Sequence, residues 1–284
     1  MPDYPLPDFL QGTFHWDARG LALATAPNVE LMSNQALSSD NPWVRLAAIL
    51  QRAKIGVWAA LRELERMIVT ADHPLLRTAC AELFGYASPE SHIRSFVPTL
   101  LPLSEELRVA ASQIIYCAGP LRMIPLAIEA WRLVSWPDSR DEISCMLSDM
   151  LEPNAGDVFS FESAPDHESY TRHVNNRVRQ LAEALGKDSV PVWKGEVFGV
   201  IPLSRKMREM LISPSPGPPS VEMELLEYRQ RFECATGIDC SAFFKDRELQ
   251  PLAALAIVES FLESPDAAKY EDGVRYFFGH RIPD

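Results

Sequence analysis

Cysteine, histidine and paired carboxylates are the residues with which this chain could do chemistry, and their spacing is uninformative in each case. Five cysteines and six histidines are available for metal ligation or nucleophilic attack. Cys234 and Cys240 are separated by five residues, as are His167 and His173. Neither spacing matches a common zinc knuckle, which needs closer pairs. The two histidines would not share a helix face. A Gly-x-Ser-x-Gly elbow and a phosphate-binding P-loop are both absent. Gly195 and Gly199 are a lone pair of glycines and a weak phosphate cradle. Carboxylates are abundant, but in an acidic chain abundance assigns no acid or base role. The expectation is therefore no catalytic residue, no metal and no cofactor. A Cys–His pair is set by space rather than by sequence, and that alternative stays open.

Charge carries more information. Lys and Arg number 27 against 39 Asp and Glu, a formal net charge of −12. Residues 39–135 are near neutral, with 10 basic and 9 acidic side chains. Between residues 138 and 168 nine carboxylates face Arg140 alone, a net −8. Such a field repels phosphate backbones, which argues against a nucleic-acid partner. It attracts a basic protein and speeds encounter. Asp138, Asp141, Glu142, Asp149, Glu152 and Asp157 are the partner-binding candidates on this ground. The alternative is a solvated acidic surface that only aids solubility.

The chain ends in a second candidate. Tyr276, Phe277 and Phe278 stand in a row between Gly273 and Gly279, close to the terminus. They either peg the tail onto the last helices or form an exposed aromatic anchor. Tyr and Arg are favoured in interface hot spots, so Tyr276, Phe277 and Arg281 join the partner-binding candidates.

What must position these residues is a repeat. Trp43-Val44-Arg45-Leu46-Ala47-Ala48, Leu75-Leu76-Arg77-Thr78-Ala79-Cys80 and Glu106-Leu107-Arg108-Val109-Ala110-Ala111 recur with their arginines 32 and 31 residues apart. A breaker or cap precedes each: Asp40-Asn41-Pro42, Asp72-His73-Pro74, Ser104-Glu105. Leu107, Ala110, Ala111, Ile114 and Ile115 fall at i, i+3, i+4, i+7 and i+8, one face of a helix. Leu76, Ala79, Cys80, Leu83 and Phe84 repeat that template. The small pairs would let a neighbouring helix approach closely. A second amphipathic helix follows each copy, over 55–69, 89–101 and 120–136. A fixed period of this size means stacked helical hairpins, none able to bury its apolar face alone.

This pattern resembles the HEAT repeat in its short form, over about residues 39–136. The resemblance implies an all-α, α-solenoid fold. It implies that the proline turns into each first helix, and that Arg45, Arg77 and Arg108 are structural repeat residues that bond backbone or an acidic neighbour. A fourth copy is expected at Asp141-Glu142-Ile143-Ser144-Cys145-Met146-Leu147, without the arginine, and a degenerate one at Asp17-Ala18-Arg19-Gly20-Leu21-Ala22. The Tyr-Phe-Phe-Gly-His ending, with the compact Cys234–Cys240 turn, resembles bacterial immunity proteins of polymorphic toxin systems. That resemblance implies a non-catalytic inhibitor whose partner is a basic toxin domain. A HEAT-like adaptor or assembly factor is the first alternative. An enzyme on the same scaffold is the second, since short HEAT-like repeats occur in bilin lyases and DNA glycosylases.

The organisation expected is an N-terminal arm and cap over 1–38, repeats over 39–152, and a mainly helical region over 153–284 that continues the stack. Hydrophobic residues make up 47%, enough for a packed core. The sequence has no apolar run of the length a membrane span needs, and Met1-Pro2-Asp3-Tyr4-Pro5 does not look like a secretory signal. A cytoplasmic protein with free thiols is expected, with Cys80, Cys117 and Cys145 on helical core faces. Beyond the repeats, a strong helix is expected over 166–185 with Gly186 as its stop. Val190 to Ile201 could form a small hairpin or an extended cover. Ser204 is expected to cap a short helix to Leu211, and Ser220 one over 221–232. Gln250-Pro251 opens an apolar helix through Leu262.

Overall fold

The computed structural model describes residues 15–17, 20–22, 33–153, 166–213, 221–245 and 248–283. Among them are twelve α-helices and four two-stranded antiparallel hairpins, so the chain is all-α in class. The helices are α1 Asn34–Leu37, α2 Pro42–Ala53, α3 Arg62–Thr70, α4 Pro74–Ala87, α5 Glu90–Leu100 and α6 Glu105–Ala118, then α7 Ile124–Leu133, α8 Pro137–Leu151, α9 His167–Leu185, α10 Val200–Ile212, α11 Val221–Thr236 and α12 Pro251–Glu263. The strands are β1 His15–Asp17, β2 Gly20–Ala22, β3 Val192–Trp193, β4 Glu196–Val197, β5 Phe244–Lys245, β6 Glu248–Leu249, β7 Tyr276–Phe277 and β8 His280–Arg281, paired in order. The chain divides into two compact units. One is Met1–Trp58 with Gly199–Ile282, the other Ala59–Phe198 with Pro283–Asp284.

The second unit holds most of the repeat. α4 lies against α6, and α6 against α8; α3, α5 and α7 pack on the helices that follow them. The packing is close because the facing residues are small. A Cβ on Gly85 would come within 2.6 Å of Cys117 Cβ and 2.7 Å of the Ile114 carbonyl. Ala79, Ala111, Leu83 and Ile114 are fully buried. α9 docks on α7 through aromatics: Tyr170 stacks on Trp131 with ring centres 4.3 Å apart. The Trp131 indole N–H donates to Ser144 Oγ at 2.9 Å, so its one polar atom is satisfied. Burying a ring of that size contributes several kcal/mol, at about 25 cal/mol per Å².

In the first unit α10 packs on both α11 and α12. The hairpin β7–β8 closes the end of α11: the Phe278 and Gly279 N–H groups donate to the carbonyls of Cys234 and Ala235, both at 2.8 Å. These are last-turn carbonyls that the helix itself leaves unsatisfied.

Several expectations need correction. The segment read as a degenerate N-terminal repeat pairs as a β-hairpin, with Trp16 opposite Leu21. The helix expected over 55–69 starts later, as a 3-10 turn at Trp58–Leu61 before α3. Gly56 has φ +75°, a left-handed backbone that ends α2 and leaves Ile55 and Val57 exposed. Ser204 caps nothing; it lies inside α10, buried, and donates to the Val200 carbonyl at 2.7 Å. Cys145 is exposed, because α8 turns Ile143, Met146, Leu147 and Met150 to the core. α9 begins after an Asp166 cap and ends before Gly186, as its periodicity predicts. β3–β4 is the hairpin read around Lys194-Gly195. Ser220 and the proline-rich stretch after Ser213 lie outside the described residues.

Candidate functional site

The repeat arginines donate to backbone carbonyls each time they recur. The Arg45 guanidinium donates to the Ser39 carbonyl at 2.7 Å, and Arg77 to that of Ala71. Arg108 donates through Nε to Leu101 at 2.9 Å and through Nη1 to Leu133 at 3.1 Å. A fourth copy of the contact exists: Arg140 donates to the Val134 carbonyl at 2.6 Å. The fourth repeat therefore begins at Pro137, and the expected frame at Asp141, without an arginine, was displaced. The signal was available, since Pro137-Asp138-Ser139-Arg140 follows Arg108 at the repeat spacing and copies Pro74-Leu75-Leu76-Arg77.

These bonds tie each turn to the helix that follows it, and the turns in the second unit carry exposed apolar side chains. Leu75, Leu103, Leu133 and Trp136 are all exposed, Trp136 at 57%. Glu105 accepts from the backbone N–H groups of Ser135 and Trp136, which fixes the turn that displays the indole. Sequence reasoning missed Glu105, which reads as an ordinary first-turn carboxylate.

The first turns of α4, α6 and α8 enclose a groove of about 180 Å³. Pro74, Val109 and Ala110 give it an apolar floor, and Glu106 and Glu142 give it carboxylates. The Ser104 hydroxyl and the backbone N–H hold the Glu106 carboxyl below its usual range, and the Arg77 charge adds to this. Loss of water around Glu142 pushes its carboxyl up, although the residue as a whole is exposed. Asp138 and Asp141 are exposed on the opening turns of the same helix.

The remaining acidic candidates are placed differently. Asp149 is paired with Lys194 at 2.8 Å, and Glu152 with Arg177 at 3.2 Å, with each carboxylate mostly covered. Both are already neutralised within the chain. Asp157 lies outside the described residues. At the tail, the exposed-anchor reading of Tyr276 and Phe277 is corrected. Phe277 is fully buried, and Tyr276 is buried with its hydroxyl donating to the Lys269 carbonyl at 2.8 Å. The aromatic run is a peg because α11 ends against it. Arg281 is exposed and lies 3.5 Å from Glu271.

A second group was not anticipated. α11 is buried on nearly all sides from Leu225 to Ala235, yet it carries Glu227, Arg229, Arg231 and Glu233. Glu233 Oε1 accepts from Arg229 Nε at 3.1 Å and from the Cys240 N–H at 2.9 Å. Its Oε2 is buried without a hydrogen-bond donor. Burial raises this carboxyl to about 7 against the pull of Arg229. Burial also lowers the Lys54 ammonium to about 8, and its Nζ lies 4.8 Å from the centre of the Phe278 ring.

Among the described residues no group of three or more His, Cys, Asp or Glu is arranged to hold a metal ion. No helix among them is long and apolar enough to cross a membrane. No family model matches the chain, and comparison with curated proteins and with solved structures gave no match.

Proposed function

We propose that this chain is a HEAT-like α-solenoid protein that binds a protein partner without catalysis, and that the partner presents a basic segment to the groove of α4, α6 and α8. The observation that carries the reading is the groove lined by Glu106 and Glu142 together with Arg77, on helices whose openings expose more charge and apolar area. Asp138 and Asp141 are exposed on the opening turns of α8, and Leu75, Leu103, Leu133 and Trp136 are exposed at or near the starts of α4, α6 and α8. Exposed apolar side chains near a charged rim are typical of an interface. Trp is the residue type most enriched in hot spots, along with Tyr and Arg. The four arginines then serve as braces that hold the turns in register, rather than as ligands of a substrate. A basic toxin domain held inactive by this contact is the form of partner proposed, which makes the chain an immunity protein.

The test has two parts. The full chain is cross-linked to a co-purified partner, and the cross-links are mapped by mass spectrometry. They should fall on the first turns of α4, α6 and α8. Association of the purified pair is then measured with Asp141 and Glu142 both changed to Lys. At low salt the rate should drop by about tenfold or more. The drop should shrink as the Debye length falls from ~10 Å at 0.1 M salt to ~3 Å at 1 M. Cross-links elsewhere, with an unchanged association rate, would overturn the proposal.

A further inference from the structure

The first unit contains a second cavity, of about 550 Å³, walled by the ends of two helices. That size is within the range of small-molecule sites. Thr236, the last residue of α11, lines one side, and Ile257, Ser260 and Phe261 in the C-terminal half of α12 line the other. Helix C-termini carry the negative end of the backbone dipole, and α12 places that end here, whereas the last carbonyls of α11 are taken up by β7–β8. Two carboxylates add to it. Asp239 stands on the turn after α11 and Asp266 on the turn after α12; both line the cavity and are exposed. The Asp239 carboxylate is held in place by the Ser241 N–H at 2.8 Å. Lys269 is the single cation among the described lining residues, and its Nζ lies 5.1 Å from the centre of the Tyr270 ring. Ile238, Ile257, Phe261 and Tyr270 provide an apolar wall, and Phe261 and Tyr270 meet edge to face at 5.6 Å, which fixes both rings.

The geometry points to a small amphipathic amine as the ligand of this cavity: one ammonium group between Asp239 and Asp266, and an aromatic or alkyl body against Ile257, Phe261 and Tyr270. An anion is disfavoured by two carboxylates and the α12 C-terminus against one lysine. A purely apolar ligand would gain nothing from either carboxylate. A charge-assisted hydrogen bond to each aspartate would instead fix the orientation of the ligand. This site is independent of the groove on α4, α6 and α8, so either can fail without the other.

The test titrates the full chain with phenethylammonium chloride, followed by ligand-observed NMR and by amide shifts of the protein. Saturable binding is expected, with shifts confined to residues 236–241 and 256–270. The neutral 2-phenylethanol, with the same body, should bind about tenfold more weakly or worse. Asp239→Asn with Asp266→Asn should weaken the amine by at least about tenfold while leaving the melting temperature unchanged. Lys269→Gln removes the competing cation and should tighten binding, which keeps the idea testable if the double variant fails to fold. Equal binding of amine and alcohol, preference for phenylacetate, or no saturation up to about 10 mM would overturn the assignment.

Discussion

Replacing Glu233 by Gln should remove the pH dependence that this carboxyl gives the first unit. The carboxyl is 1% exposed, held by Arg229 and the Cys240 N–H on one oxygen and by no hydrogen-bond donor on the other. Burial is the largest influence on it and raises it from 4.5 to about 7. The folded state therefore keeps a proton that the unfolded chain has already released. The stability that this proton contributes is fully present below pH 4.5 and is lost as pH rises through 7. At ~1.4 kcal/mol per pH unit, the loss between about pH 5 and 7 comes to about 2 kcal/mol. Lys54 does not obscure this window. Its ammonium is lowered from 10.5 to about 8, so its contribution is present above 10.5 and lost as pH falls through 8. Below 7 it is charged in both states. The Cys240 thiol is raised and stays neutral throughout. Hydrogen exchange of α11 amides, corrected for intrinsic rates, reads the opening free energy at each pH. Wild type should lose protection between pH 5 and 7 relative to Glu233→Gln, whose neutral amide stands in for the protonated carboxyl at every pH. Parallel curves for the two proteins would refute the assignment of the proton to Glu233.

Two further predictions concern the repeat. Arg108→Ala removes two bonds to carbonyls, at Leu101 and Leu133, whereas Arg77→Ala removes one, at Ala71. Calorimetry should show Arg108→Ala as the more destabilising, at about 1–3 kcal/mol against about 1, with partner affinity of the folded fraction unchanged for both. A loss of binding with an intact melting curve would make these arginines ligands instead. Gly85→Ala drives a methyl into Cys117 Cβ and the Ile114 carbonyl and should cost about 1–3 kcal/mol in urea unfolding, because backbone on α6 cannot step aside. A neutral result would mean that α4 and α6 are not in such close contact.

The helices with a single dry face were legible from their residues. α6 and α9 follow their apolar periodicity from cap to stop, and the hairpin around Lys194-Gly195 is one of the two readings its alternation left open. α11 was legible only as a helix. Periodicity assumes one buried stripe, and α11 buries Arg229, Arg231 and Glu233 as well: Glu233 meets the Cys240 N–H and feels Lys54, far away in sequence, and Arg229 lies over the Phe244 ring. No local pattern announces that. The tail was left with two readings for a related reason: Tyr276-Phe277 reads the same whether it covers α11 or faces water, and only the open carbonyls of Cys234 and Ala235 decide. The frame of the fourth repeat was a different matter, since Arg140 was there to be aligned. Once it is aligned, the copies can be compared position by position. The residue two places after the arginine is Ala47, Ala79, Ala110 and then Glu142; the residue three places after is Ala48, Cys80, Ala111 and then Ile143. The second position of that pair stays buried in all four copies, while the first goes from three buried alanines to an exposed carboxylate. A scaffold has no use for Glu142 there, because a small residue already suits the packing of the other three. A charge where the other three copies carry a buried alanine, on the edge of a groove and partly stripped of water, favours the proposed site. The repeat therefore marks its candidate site by its exception, and that exception is readable only in the correct frame.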